Sequence, residues 1–442
     1  MGAQTGTFPS SVRLSVIPAA VLAAVPAAVS AGVMWWLITS GRWSLFGIWT
    51  LDSTTGHSTG FGDLAFITAS ADCFTAESAG VPVDMDTCDP YGRPFSPYGI
   101  IPGRFLSLFG LGFEQNSILG FALALIWVAL AFGVAFQVVR SWNAARTELA
   151  VALTAITLFT VSPAAMLAVE RGTLDILVAA LAATGLLGFA GGGRVRHSVS
   201  TVLLFTSVTI KYFAVGVFVP FFAPRRWSII ASAGALATLV FLLMNLDNLR
   251  LAQEIAQADT QSTSRIMFSS TTGIITFLVE DPTAFFPPAD QFLNSTAINV
   301  VGIVLFAAVT TALTLLLHRF VQPDTIPRTS WYLIVGGGFA LAIPYFLGPS
   351  NDYRLVLLLI PLAGLLVWIG RGIEAPLRIT LWVVVGAAVV AGLTGASMQP
   401  NEFGFILPKA IIIFGDAALA TVLAFGVALF LQAWIPRKRV NT

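Results

Sequence analysis

Asp63 is the residue best placed to do chemistry in this sequence, within the stretch "TGFGDLAFITASADC" at 59–73. The stretch is a polar loop that follows a long apolar segment, yet apolar residues flank the acid. Gly62 precedes it and allows a close approach of the backbone to a neighbour. A carboxylate there can accept a proton from a hydroxyl group, as a general base does. The alternative is an ordinary acid at a helix start in a solvated loop, and the residues leave both interpretations open.

A second charged group is "VERGTLDIL", with Glu170, Arg171 and Asp175. Arg171 and Asp175 are four residues apart, so on one helix they share a face and could pair. Glu170 and Arg171 lie at the end of an apolar segment, where charges often only mark the interface. Asp175 lies inside the next apolar segment, where ionisable groups are costly and usually functional.

A third group is "IKYF", in which Lys211 and Tyr212 lie in the middle of the apolar run 199–222. Lys211 has no charged sequence neighbour, so it requires a distant acid or an anionic ligand. Snorkelling of the side chain to the interface is the alternative. A fixed cation beside a water-filled cavity is well suited to a phosphate group.

A fourth group is "GPSNDYRLVLLL", with Asp352, Tyr353 and Arg354. Gly348 and Pro349 are expected to end one helix, and Arg354 to start the next at the same face. The planar guanidinium fork binds phosphate well. The alternative is a tight turn with a local Asp352–Arg354 pair.

The composition places these groups in a membrane protein. The chain has 442 residues, of which 56% are hydrophobic and 10% charged, and its mean hydropathy is +0.85. Soluble globular domains carry about 25% charged residues. The net charge of +1 gives no reason to expect nucleic acid binding. The apolar stretch at 16–38 is too long for a signal peptide and ends in "MWWLI", so we interpret it as a retained span.

A membrane span needs about 20 mostly apolar residues. On that basis we predict an all-α polytopic membrane protein, with residues 1–442 forming a single integral membrane domain of about ten full spans. The predicted spans lie near 14–38, 116–139, 149–167, 174–190, 228–246, 295–318, 331–348, 354–370, 376–396 and 409–434.

The basic residues predict the orientation. A model with both termini in the cytoplasm puts 14 of the 23 lysines and arginines in cytoplasmic connectors, and only three of the 22 acids. This is the positive-inside pattern. It makes 39–115 and 247–294 the two long extracytoplasmic loops, the first of which carries Asp63. It also predicts that 199–222 enters and leaves on one side, as two short helices with a break near Lys211. A single span is the alternative.

Cys73 and Cys88 both lie in the first loop, on the predicted oxidising side, so a disulfide is expected. No metal site is expected, because nothing completes a site around Asp84 and Asp86 and the three histidines are spread over the chain. The sequence also lacks a Walker loop and a GxGxxG motif, so no nucleotide cofactor is expected.

Several stretches together resemble the C-class membrane glycosyltransferases, and family 87 in particular. They are "GDLAF" with "CDPYGRPFSPYG", "VERGTLDIL", "IKYFAVGVFVPFFAPRR" and "NDYRLVLLLIPL". The similarity covers about 60 to 370, although "IKYF" lacks the proline often found just after the aromatic residue. The resemblance implies a glycosyltransferase bundle in the cell membrane that acts in the cell envelope.

The resemblance also implies a donor, an acceptor and residue roles. The donor would be a polyprenyl-phosphate sugar, with mannose as the commonest sugar, and the acceptor a glycolipid or glycan. Asp63 would be the base of an inverting displacement at the extracytoplasmic face. Lys211, Arg354 and Arg171 would bind the donor phosphate. The residues that would bind the sugar hydroxyls or orient these cations are Glu170, Asp175, Asp352, Tyr353 and Tyr212. No metal or other cofactor would be required.

Two other functions remain open at this point. Re-entrant breaks and charges at mid-membrane also mark transport pathways, so a transporter or flippase of lipid-linked sugars is the first alternative. A glycan polymerase or ligase that uses a polyprenyl diphosphate is the second. The sequence shows no inverted repeat, and its charged groups gather on one face, which favours the transferase.

Overall fold

The structure is a computed structural model that describes residues 15–46, 61–83, 88, 100–224, 226–248, 250, 295–322, 325–347, 352–394 and 409–435. Every regular element in these ranges is helical and none is a strand. The all-α prediction is therefore confirmed for this part of the chain. Both predicted cytoplasmic termini, most of the loop 247–294, and Asp84 and Asp86 lie outside the described residues.

The α-helices in the described ranges are α1 (Val16–Ser40), α2 (Gly62–Ser78), α3 (Ile100–Ser107), α4 (Asn116–Ser141), α5 (Arg146–Thr160), α6 (Pro163–Arg171), α7 (Asp175–Gly191), α8 (Arg194–Ile210), α9 (Ile229–Met244), α10 (Ser295–Phe320), α11 (Arg328–Leu347), α12 (Leu359–Ile369), α13 (Ala375–Thr394) and α14 (Lys409–Gln432). Stretches of 3₁₀ helix cover Trp43–Phe46, Phe113–Gln115, Tyr212–Phe222 and Asp352–Leu358.

Several of these helices are long and apolar enough to cross a membrane. Among the described residues, four helices have the length and the hydropathy of a membrane span. A bent pair of helices is a fifth candidate if the pair counts as one span. The four are Val16–Ser40, Phe113–Ser141, Ala375–Thr394 and Phe414–Gln432. Each of the ten predicted spans overlaps helical structure.

The predicted span 149–167 is not one straight helix. It is divided into α5 and α6, whose axes differ by 43°. Ser162 caps α6 by accepting a hydrogen bond from the Ala165 amide at 3.4 Å, and Pro163 occupies the first turn. Proline lacks the amide hydrogen that would continue α5, and it fits the first turn of a new helix. The Ser-Pro pair is the sequence signal that marks this bend.

The break predicted near Lys211 is present. α8 ends at Ile210, Lys211 has an extended backbone (φ −141°), and 3₁₀ helix runs from Tyr212 to Phe222. That 3₁₀ segment packs closely on α11, because a Cβ added to Gly216 would lie 2.3 Å from the Phe339 carbonyl carbon. The absence of a side chain at Gly216 therefore allows the segment to lie this close to α11.

α12 forms the centre of the described bundle, since every one of its residues is buried. A helix that is apolar on all faces is expected to be enclosed by others. The segment Asp352–Leu358 leads directly into α12 and packs against α6, α7 and α11. This packing places the segment that carries Arg354 beside α6 and α7, which carry the second charged group.

Candidate functional site

Asp63 lies in the first turn of α2 and is half-buried. Leu64 and Ile67, on the same helix, are buried in an apolar cluster with Leu123 and Leu174. These apolar side chains therefore anchor α2 to the bundle. Phe61, just before α2, adopts a left-handed conformation (φ +68°), and its amide donates to the Glu170 carbonyl over 2.8 Å.

Gly172 allows this contact between α2 and α6. It ends α6 in the left-handed conformation (φ +61°), which glycine adopts without a steric penalty. A Cβ at this position would lie 2.7 Å from the Phe61 Cβ and 3.0 Å from the Leu64 Cβ. The absence of a side chain here is what lets the start of α2 lie against the end of α6.

Glu170 is the buried acid of this contact, with 4% of its surface exposed. Its Oε2 lies 3.4 Å from the Nε of Arg171. Asp63 is close enough for its charge to act on Glu170 as well. Two carboxylates and one guanidinium are therefore grouped at the end of α6.

The possible pairing of Arg171 with Asp175 is not formed in the structure. It assumed one continuous helix, but α6 ends at Arg171 and α7 starts only at Asp175. Gly172 turns the chain between them. Arg171 pairs with its neighbour Glu170, and Asp175 pairs with Lys211 instead.

Asp175 and Lys211 form a buried ion pair with 3.6 Å between Oδ2 and Nζ. Asp175 is 0% exposed and Lys211 is 13% exposed. The same Oδ2 accepts a hydrogen bond from the Thr173 hydroxyl at 2.7 Å. The other oxygen, Oδ1, has no hydrogen-bond partner among the described residues. The distant acid that Lys211 was expected to need is therefore Asp175.

Arg354 lies against a residue that follows the break. Its guanidinium carbon lies 4.9 Å from the centre of the Phe213 ring, two residues after Lys211. Tyr212 is buried and its ring centre lies 6.0 Å from that of Phe241. Asp352 and Tyr353 belong to the same 3₁₀ segment as Arg354, but their side chains are outside the described part of the structure.

The first loop is held at two further points. Cys73, on α2, is joined to Cys88 by a disulfide, as predicted. The Asp72 carboxylate accepts a hydrogen bond from the Phe113 amide at 2.8 Å. Asp72 therefore ties α2 to the segment before α4.

Two residues of the site were not anticipated from the sequence. Phe61 joins α2 to α6 through its backbone, and no side-chain pattern signals this. Thr173 orients Asp175, and a threonine two residues before an acid at a helix start is a local signal that could have indicated it.

Direct contacts thus connect the four charged groups at one end of the bundle. The start of α2 meets the end of α6, Asp175 of α7 pairs with Lys211 at the break, and Arg354 of the 3₁₀ segment lies against Phe213. Such an arrangement can remove a proton from a hydroxyl group and stabilise a nearby anion. No group of three potential metal ligands occurs among the described residues.

Comparisons with protein-family models, with curated proteins and with solved structures gave no match for this chain.

Proposed function

We propose that this protein is a membrane glycosyltransferase. It takes a sugar, with mannose as the expected one, from a polyprenyl-phosphate donor and transfers it to a glycolipid or glycan hydroxyl. The observation that carries the proposal is that Asp63 lies beside the Glu170–Arg171 pair, with the Asp175–Lys211 pair four residues further along. Arg354 packs against Phe213, two residues after Lys211. These residues come from four distant parts of the sequence. Acids and cations at one site match a reaction that removes a proton and releases a phosphate.

The proposed reaction is a single displacement with inversion at the anomeric carbon. Asp63 accepts the hydroxyl proton of the acceptor while the acceptor oxygen forms a bond to the anomeric carbon. The bond between that carbon and the phosphate oxygen breaks, and its electron pair leaves with the polyprenyl phosphate. Lys211, Arg354 and Arg171 stabilise the charge of the departing phosphate. Glu170 and Asp175 orient these cations or the sugar hydroxyls, as do Tyr212, Asp352 and Tyr353.

The proposed setting is the plasma membrane, with the site at the extracytoplasmic face. In this arrangement about ten full spans and one re-entrant pair, α8 with Tyr212–Phe222, form a bundle of the C-class glycosyltransferase type. The break at Lys211 supports the re-entrant part of the proposal. A non-helical break at membrane depth is tolerated where protein or a wet cavity surrounds it.

The decisive experiment measures sugar transfer by the purified protein in lipid vesicles. The donor is radiolabelled polyprenyl-phosphate mannose, and the acceptor is a lipid extract of the expression host. We expect labelled product with the wild type and with Glu77→Gln, which changes an exposed acid on the same helix. Asp63→Asn should give none. Movement of the donor between leaflets without any product would instead support the flippase, and transfer only from a diphosphate donor would support the polymerase.

A further inference from the structure

A second group of cations lies at the other end of the bundle. α7 starts at Asp175, in the candidate site, and ends at Gly191. At 1.5 Å per residue these two ends are about 24 Å apart. Next to Ala190 is a cleft of about 490 Å³. Its size falls within the range of small-molecule sites, about 300–1,000 Å³.

Two arginines line this cleft, and each comes from a different element. Arg328 is the first residue of α11, and Arg371 follows the end of α12. Both are exposed. No acid of the described residues lines the cleft. Glu374, the next acid along from Arg371, is exposed and outside the lining, and Asp324 lies outside the described residues. The charged side chains that line the cleft in the described part of the chain are therefore all positive.

The cleft also offers hydrogen-bond donors for an anion. Thr329 lines it, whereas the hydroxyl of Thr325, which also lies in the lining, already donates to the Gln322 carbonyl at 2.7 Å. The hydrogen bonds of α11 begin with the Trp331 amide and the Pro327 carbonyl. The amides of the first turn therefore have no acceptor within the helix. Amides at such a position, with the positive end of the helix dipole, favour anions.

A third arginine holds the wall of the cleft in place. Arg226 is half-buried, and its Nη2 donates to the Ile326 carbonyl over 3.2 Å. Its guanidinium carbon lies 5.7 Å from the centre of the Trp331 ring. Arg226 thus fixes the loop that leads into α11 and adds positive charge beside the cleft.

We propose that this cleft binds the phosphate group of an anionic ligand, either a phospholipid head group or a soluble phosphate ester. Two guanidinium groups, the Thr329 hydroxyl and the amides of a helix start are donors suited to a phosphate. Basic pockets between membrane helices are suited to phosphate head groups. The cleft shares no residue with the candidate glycosyl-transfer site, so either proposal can fail without the other.

Ligand binding to the purified protein in an uncharged detergent tests this proposal. The probes are a short-chain phosphatidylglycerol, phosphatidylcholine of the same chain length, glycerol phosphate and inorganic phosphate. The readout is the rise in melting temperature with probe concentration, at about 0.15 M salt. The variants are the Arg328→Gln/Arg371→Gln pair and the control Arg194→Gln, an exposed arginine outside this cleft.

We expect phosphatidylglycerol to stabilise the wild type more than phosphatidylcholine does. The double variant should bind it at least about tenfold more weakly, and Arg194→Gln should bind like the wild type. Equal stabilisation by glycerol phosphate or inorganic phosphate would identify a soluble ligand, whereas a response to phosphatidylglycerol alone would identify a lipid. No response to any probe, or an equal loss in Arg194→Gln, would overturn the proposal. If the double variant melts early without ligand, the two single variants give the same comparison.

Discussion

At the scale of single residues, the two acids at the start of α2 and the end of α6 are the most informative feature. Glu170 is buried and Asp63 is only half-buried. Of the two, Asp63 is therefore the one that an acceptor hydroxyl reaches more easily. Glu170 is occupied by Arg171 and suits an orienting role.

Replacement of each acid by its amide should separate these roles. Asp63→Asn removes the proton acceptor, so we expect kcat to fall by at least about a hundredfold with little change in donor binding. Glu170→Gln removes the partner of Arg171, so we expect a higher KM for the donor and a smaller loss of kcat. Initial rates across donor concentrations give both values. A larger loss of kcat in Glu170→Gln would make Glu170 the base.

The Asp175–Lys211 pair should behave as a buried charge pair. Loss of one partner leaves the other uncompensated, which costs about 3–5 kcal/mol. We expect Lys211→Met to lower the melting temperature clearly, and the double variant Asp175→Asn/Lys211→Met to recover part of that loss. Thermal unfolding in detergent measures both. If the double variant is no more stable than Lys211→Met, the coupling of the two charges is not what stabilises this region.

At the scale of elements, the packing of α2 against α6 depends on one glycine. Gly172 combines a left-handed backbone with a contact that leaves no room for a side chain. Gly41, which ends α1, is also left-handed (φ +66°), but a Cβ there would meet nothing within 4 Å. A comparison of substitutions at these two glycines therefore separates the effect of backbone strain from the effect of losing the contact between the helices.

Alanine substitutions at these positions should have different consequences. Both incur a left-handed backbone penalty of about 1–2 kcal/mol. Gly172→Ala should lose about 1–3 kcal/mol more from overpacking against Phe61. We expect it to lose most transfer activity as well, because the start of α2 must move. Melting temperatures and transfer rates of the two variants are the measurement, and equal behaviour would show that the contact is unimportant.

The elements also show what the sequence predicts and what it does not. Hydropathy predicted the helices. The basic residues on both sides of 199–222 predicted the break near Lys211, because they place both ends of that run on the same side of the membrane. The bend at Ser162 was missed, since α5 and α6 form one hydrophobic run. The possible pairing of Arg171 with Asp175 does not form, because helical spacing applies only while the helix continues. The Asp175–Lys211 pair joins residues far apart in the chain, and no local rule specifies such a partner.

At the scale of the whole molecule, the orientation in the membrane is the prediction that most needs a test. The proposal places the end of α2 outside the cell and the start of α8 inside. Ser78 and Ser198 are exposed residues in these two places. Because the chain has only two cysteines, a cysteine-free background requires only Cys73→Ser/Cys88→Ser.

A membrane-impermeant maleimide applied to intact cells should label Ser78→Cys and leave Ser198→Cys unlabelled. Both sites should react once the cells are opened, which confirms that each thiol is accessible. The reverse pattern would put the candidate site in the cytoplasm. Labelling of both sites in intact cells would show that the membrane is not sealed.

Reduction of the disulfide should destabilise the first loop. Cys73 and Cys88 are 15 residues apart. A loop of this size contributes about 3 kcal/mol in the chain-entropy model. We expect the Cys73→Ser/Cys88→Ser variant to melt at a lower temperature and to be insensitive to reductant, whereas the wild type should lose stability when reductant is added. If the melting temperature of the wild type does not change in reductant, the disulfide does not stabilise the first loop.

The hydrogen bond from the Phe61 amide to the Glu170 carbonyl has a consequence for protein engineering. Both atoms belong to the main chain, so exchanging the side chains leaves donor and acceptor in place. A library that randomises the surroundings of Asp63 can therefore search for new acceptor specificity while the spacing between the two acids is kept. An insertion or deletion between 61 and 63 would change that spacing directly. Variants that differ in length there should therefore be the rarest active members of such a library.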